Sequence, residues 1–206
     1  MAKNYQPLYF SITFLVRNLV FRPFGGIRVL RGDRVPMSGA VIIAANHTSF
    51  ADPPVVACAT GRRMNFMAKS ELFKPPVFGP LIRKVGAFPV HRGEADTEAI
   101  RKTLSLLADG EAVLVFPEGG RGDGKTLQPA NKGVTLLARK SGAAVLPVGI
   151  VGAQKWLPHG AKFPKRQRIT VNFGEPFTYK QASEEGDFGK VLMMRIVDLI
   201  AEAGGP

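Results

Sequence analysis

Two stretches of the chain hold side chains able to do chemistry. The first is AANHTSFADPP, residues 44–54, in which His47 precedes Asp52 by five positions. On a regular helix that spacing puts the two off a common face. Here the run leaves an apolar segment and ends at two prolines, so a turn can bring imidazole and carboxylate together. An aspartate that accepts from one ring nitrogen fixes the tautomer and raises the basicity of the other, the base-and-orienter half of a catalytic triad. A loop histidine beside a helix-capping aspartate has the same pattern. No Gly-x-Ser-x-Gly elbow is present, and Ser49 is only a local neighbour of His47. A base without a protein nucleophile implies that the hydroxyl of a substrate attacks. The chain has three histidines, and His91 and His159 are scattered from His47, so neither a metal nor a cofactor is expected.

The second stretch is FPEGGRGDGKT, residues 116–126. From Gly119 it satisfies the Gly-x-x-x-x-Gly-Lys-Thr pattern of a P-loop, which needs a strand before the glycines and a helix opening at Gly-Lys-Thr. The apolar AVLVF supplies the strand. Pro129 falls in the first turn of the required helix, where it lacks an amide hydrogen and clashes. Glu118 would repel nucleotide phosphates, and no apolar strand ends in an aspartate suited to magnesium. The informative part is therefore Phe-Pro-Glu-Gly-x-Arg, with Glu118 and Arg121 at the end of a buried strand.

The elements that must position these stretches alternate. Short apolar runs at 41–45, 65–68, 87–90 and 112–116 read as strands, as does 144–150, interrupted by Pro147. The alternating RITVNF, 168–173, reads as a half-exposed strand. Helices are expected at 55–60, 77–85, 96–108, 131–141 and 188–203, with Gly61, Gly86 and Gly142 as stops and Asp187 as a cap. Alternating strands and helices predict one α/β domain, residues 31–206, with a mostly parallel mixed sheet flanked by helices. Residues 1–30 are set apart as an apolar and basic membrane-associating helix: LYFSITFLVRNLVF is too short to span a bilayer, and its aromatics interleave with arginines.

NHTSFADP, FMAKSELF, VGAFPVHRG, FPEGGR and LPV, in this order, resemble the four sequence blocks of the glycerolipid acyltransferases with a linking lysine segment. The likeness runs from about residue 40 to 176 and is strongest to the bacterial 1-acylglycerol-3-phosphate acyltransferase branch. It implies that His47 and Asp52 activate the hydroxyl of lysophosphatidic acid for attack on an acyl thioester of coenzyme A or acyl carrier protein, without an acyl-enzyme. It also implies that Lys69, Arg92, Glu118, Gly119 and Arg121 bind the acceptor phosphate and glycerol. Two positions depart from the family pattern: Gly120 stands where threonine is usual, and His91 where an acid often precedes the arginine. Both bear on the acceptor headgroup rather than on the reaction type, and glycerol 3-phosphate or another lysophospholipid is the alternative acceptor.

Composition agrees with an anionic partner. Twenty-eight Lys and Arg against 16 Asp and Glu give a net charge of +12 in 206 residues. Nucleic acid would use the charge but would leave the His-Asp pair unexplained, and no nucleic-acid-binding signature is visible. Lys155, Lys162, Lys165, Arg166 and Arg168, interleaved with Trp156 and Phe163, read as a lip toward anionic lipid headgroups. The single cysteine, Cys58, excludes an intramolecular disulfide, fits a reducing compartment and reads as a packing residue. Association with the cytoplasmic face of a membrane is expected.

Overall fold

The computed structural model describes residues 6–90, 97–124 and 126–205. Seven strands form one sheet: β1 (Ile27–Leu30), β2 (Val41–Ala45), β3 (Met64–Lys69), β4 (Ala87–Val90), β5 (Ala112–Val115), β6 (Ala144–Val151) and β7 (Ile169–Phe173), in the order β1-β7-β6-β2-β5-β3-β4. Strands β2 to β6 are mutually parallel, and β7 turns antiparallel to β6 and pairs in parallel with β1. The expected single α/β domain with a mostly parallel mixed sheet is thus present. The central strands are apolar throughout because both faces are covered. Val41, Ile43 and Ala45 of β2 face α2 (Asp52–Thr60) and the N-terminal helical segment, while Ile42 and Ala44 face the opposite layer. That layer contains α4 (Thr97–Ala108), α5 (Lys132–Ser141), α7 (Tyr179–Glu185) and α8 (Phe188–Glu202). The short α3 (Phe78–Lys84) packs beside β4, and the one-turn α6 (Ala153–Trp156) follows β6.

The helix stops and caps follow the residue types. Gly61 and Gly142 end α2 and α5 in the left-handed conformation. Asn131 accepts from Gly133 and Val134 at the start of α5, and Asp187 accepts from Lys190 at the start of α8. The α7 helix, absent from the sequence reading, opens with a reciprocal Thr178–Gln181 capping box.

Three expectations change. Strand β6 runs unbroken through Pro147, whose carbonyl accepts from Gly174 at 2.9 Å. Its ring nitrogen faces the same β7 side, at the end of that pairing, so the missing N–H costs the β2 ladder nothing. Strand β7 is fully buried instead of half exposed, because α8 covers its polar face and the Asn172 amide donates to the Leu199 carbonyl at 3.0 Å. Residues 27–30, inside the expected N-terminal segment, are strand β1 of the sheet.

The helical segment before β1 comprises α1 (Gln6–Leu15), a π-helical turn (Val16–Phe21) and a 3₁₀ turn (Arg22–Phe24). Tyr9 and Phe21 are buried, and the Arg17 guanidinium donates to the Cys58 carbonyl on α2 at 3.2 Å. Leu8, Phe10, Phe14, Leu15, Leu19 and Val20 remain exposed, Phe14 and Leu19 by about two thirds. No helix among the described residues is long and apolar enough to cross a membrane.

Burial pushes the Cys58 thiol up to about 11, against the lowering effect of nearby Arg17. A thiol-exchange reagent at pH 8 should therefore label the native chain about 100-fold or more slowly than the denatured chain. Equal rates would show that the α1–α2 contact opens freely.

Candidate active site

His47 is the second residue after β2, where the parallel strands end and the chain can leave the sheet. Asn46 holds the exit: its side-chain amide donates to the Ile150 carbonyl at 3.0 Å and accepts from the Ile150 amide at 2.7 Å, extending the β2–β6 pairing by one residue. The chain then turns, with Asp52 N–H donating to the Ser49 carbonyl, and enters α2 at Asp52 with prolines in its first turn. Ser49 ties this turn outward, its hydroxyl donating to the Leu157 carbonyl at 3.1 Å and accepting from the Ala51 amide.

The turn brings His47 and Asp52 together. Asp52 Oδ2 lies 2.8 Å from His47 Nδ1 and also accepts from the Thr48 and Ser49 amides at 2.7 and 2.8 Å. Asp52 is fully buried, and the first turn of α2 adds the positive end of a helix dipole. Three donors on one oxygen hold the carboxylate rigidly, and through Nδ1 they set the ring tautomer, leaving Nε2 as the basic nitrogen. The imidazole stacks on Phe116, centroids 3.9 Å apart and planes within 16°. Such a ring, mostly buried and fixed in plane, can take a proton from a hydroxyl brought to Nε2.

The second stretch closes over the first. After β5 the chain makes a loop, and among the described residues no helix begins before Lys132. Glu118 Oε1 accepts from the His47 amide at 2.9 Å, and the His47 carbonyl accepts from the Gly122 amide at 2.8 Å. Glu118 Oε2 accepts from the Gln128 amide at 3.1 Å. Both main-chain groups of His47 are therefore bonded to the 118–122 segment. Gly119 and Gly124 adopt positive φ, and a Cβ on either would press against Asn131 or Gln154. The Arg121 guanidinium lies 3.7 Å from the ring centroid of Phe50, which belongs to the His47 turn.

The structure thus brings His47, Asp52, Glu118, Gly119 and Arg121 into one constellation. Lys69 ends β3 on the same edge of the sheet, two strands from β2, and is exposed. Arg92 and His91 lie outside the described residues. Asn46, Phe50 and Phe116 were missed by sequence reasoning, although each stands inside one of the two quoted stretches. Their types signalled packing, and only the fold shows what they pack on. Trp156, expected at a lipid-facing lip, is buried against Phe21.

The carboxylate of Glu118 bonds two main-chain amides, so its loss should reach stability as well as turnover. Glu118→Ala should lower the unfolding free energy by about 1–3 kcal/mol in urea titration, together with kcat. A fall in activity with unchanged stability would show that Glu118 acts only on substrate.

Comparisons with known proteins give the family. The family model described as Acyltransferase matches residues 26–151. A 1-acyl-sn-glycerol-3-phosphate acyltransferase of Bacillus subtilis is 28% identical over 155 residues, 74% of each chain. A lyso-ornithine lipid O-acyltransferase of Pseudomonas aeruginosa is 33% identical over 107 residues, 52% of this chain and 41% of that one. The crystal structure of the 1-acyl-sn-glycerophosphate (LPA) acyltransferase PlsC from Thermotoga maritima aligns with a TM-score of 0.80 and 25% identity, over the whole of this chain and 80% of that one. With most of its length matched by the family model, the chain belongs to the acyltransferase family.

Proposed function

We propose that this acyltransferase moves a fatty acyl group from an acyl thioester to the sn-2 hydroxyl of 1-acylglycerol 3-phosphate, giving phosphatidic acid for phospholipid synthesis. The observation that carries the reading is the His47 Nδ1–Asp52 Oδ2 bond of 2.8 Å, with the 118–122 loop bonded to His47 on both sides. His47 Nε2 takes the proton of the acceptor hydroxyl as its oxygen attacks the thioester carbonyl. Asp52 stabilises the imidazolium that forms. When the carbon–sulfur bond breaks, the leaving thiolate takes the proton back from His47, and no acyl-enzyme is needed. Arg121, held on Phe50, supplies a planar fork for the acceptor phosphate, with Lys69 and Arg92 as further cations. Glu118 keeps lone pairs for the glycerol portion beyond those that hold the loop.

The donor is the thioester of coenzyme A or of acyl carrier protein. The exposed apolar surface of residues 8–20 supports binding at an anionic bilayer surface on the cytoplasmic side, with the helical segment before β1 as the membrane-associating part and the sheet from β1 onward in the acyltransferase domain. A second reading, acylation of a different lysolipid, is favoured by the match to the lyso-ornithine lipid enzyme and by Gly120 and His91 in the acceptor blocks.

Product analysis with a panel of lysolipids and acyl donors tests the assignment. His47→Ala and Asp52→Ala should each lower kcat by on the order of 10²- to 10⁴-fold, while Lys125→Ala should leave it nearly intact. Activity that needs Lys125 and not His47 would overturn it. Removal of residues 1–25 should abolish sedimentation with liposomes; equal partitioning with and without the segment would remove it as the anchor.

A further inference from the structure

The basic segment after β6 remains unused by the acceptor chemistry. Residues 154–168 contain no aspartate or glutamate, and Lys155, Lys162, Lys165, Arg166 and Arg168 are all exposed. None of the five forms an ion pair among the described residues. Gln154, Lys155, Pro158, Lys165, Arg166 and Gln167 line an open groove of about 510 Å³. Its walls are held by the backbone: the Lys165 amide donates to the Trp156 carbonyl at 2.7 Å, and the Gln167 amide to the Phe24 carbonyl at 2.8 Å. Trp156 sits buried beneath, against Phe21. The backbone that carries the cations is therefore tied down.

The groove is bonded to both catalytic stretches. Leu157, beside its lining, accepts from the Ser49 hydroxyl of the His47 turn. Gln154 in its lining donates to the Asp123 carbonyl of the loop that carries Arg121. It follows β6, on the other side of β2 from β3, where Lys69 ends its strand. His47 thus lies between two cationic zones, and the proposed reaction has two anionic reactants. With Lys69 and Arg121 given to the acceptor, the β6 side is left for the charged part of the donor.

Resting on the acyltransferase reading above, we infer that this groove seats the phosphates of the donor's nucleotide carrier, the 3′-phospho-ADP end of coenzyme A. The open lining gathers three cations, Lys155, Lys165 and Arg166, which suits a compact polyanion. Lys162 and the exposed Phe163 stand outside this lining. The volume suits a ligand of that size.

The triple variant Lys155→Glu, Lys165→Glu, Arg166→Glu changes only exposed side chains, and Lys140→Glu on α5 serves as a charge control. Calorimetric titration with coenzyme A reads the groove without turnover. The triple variant should weaken binding about tenfold or more, and the control should not. In the transfer assay the KM for acyl-CoA should rise to match, with the lysophosphatidic acid KM and sedimentation with phosphatidylglycerol vesicles unchanged. Unchanged coenzyme A affinity would overturn the inference. So would a loss shared equally by the acceptor KM or by vesicle binding, or a wild-type enzyme that accepts acyl carrier protein and not acyl-CoA. A wild-type enzyme that binds coenzyme A through these residues but transfers no acyl group would overturn the proposed reaction and leave the groove standing.

Discussion

Everything at the site depends on one oxygen. Asp52 Oδ2 receives the His47 ring and the amides of Thr48 and Ser49, and all of these groups are buried or nearly so. A buried carboxylate oxygen is held where donors replace water, and for Oδ2 the donors are the turn that carries the histidine, while Oδ1 has no partner among the described residues. Holding the charge and orienting the imidazole are thus one act. The same bonds that hold Asp52 inside the protein engage Nδ1 and leave Nε2 clear of the carboxylate.

That turn stands where the sheet lets a loop stand. Parallel strands β6, β2 and β5 end side by side, and ligands of open α/β sheets gather at such carboxyl ends. Asn46 ties the β2 exit to β6, and Glu118 and Gly122 tie it to the loop after β5. His47 is therefore braced from both neighbouring strands. A loop braced on both sides can keep a catalytic geometry that an isolated turn would lose to chain entropy. The groove after β6 and the cations beyond β5 inherit their positions from the same three strands.

Much of this was legible in the residues. His47 and Asp52 were readable because prolines end their turn, and the P-loop reading failed on Pro129 for a local reason. Strands β2, β4 and β5 are short apolar runs with clear stops. What escaped was set by long-range packing. The burial of β7 depends on α8 lying over Asn172, which alternation within RITVNF cannot reveal. The continuity of β6 through Pro147 depends on which neighbour its nitrogen faces. Strand β1 is four residues at the edge of the sheet, below any periodicity signal. The stacking of Phe116 on His47 and of Arg121 on Phe50 joins residues that the sequence places in separate stretches.

The central claim is direct transfer, with His47 as base and both substrates bound together. Initial velocities measured across a grid of acyl-CoA and lysophosphatidic acid concentrations test it most directly. Intersecting double-reciprocal lines, with no acyl label left on the denatured protein when the acceptor is omitted, are the predicted result. Parallel lines with label retained on the chain would mean a covalent acyl-enzyme, and would contradict the account.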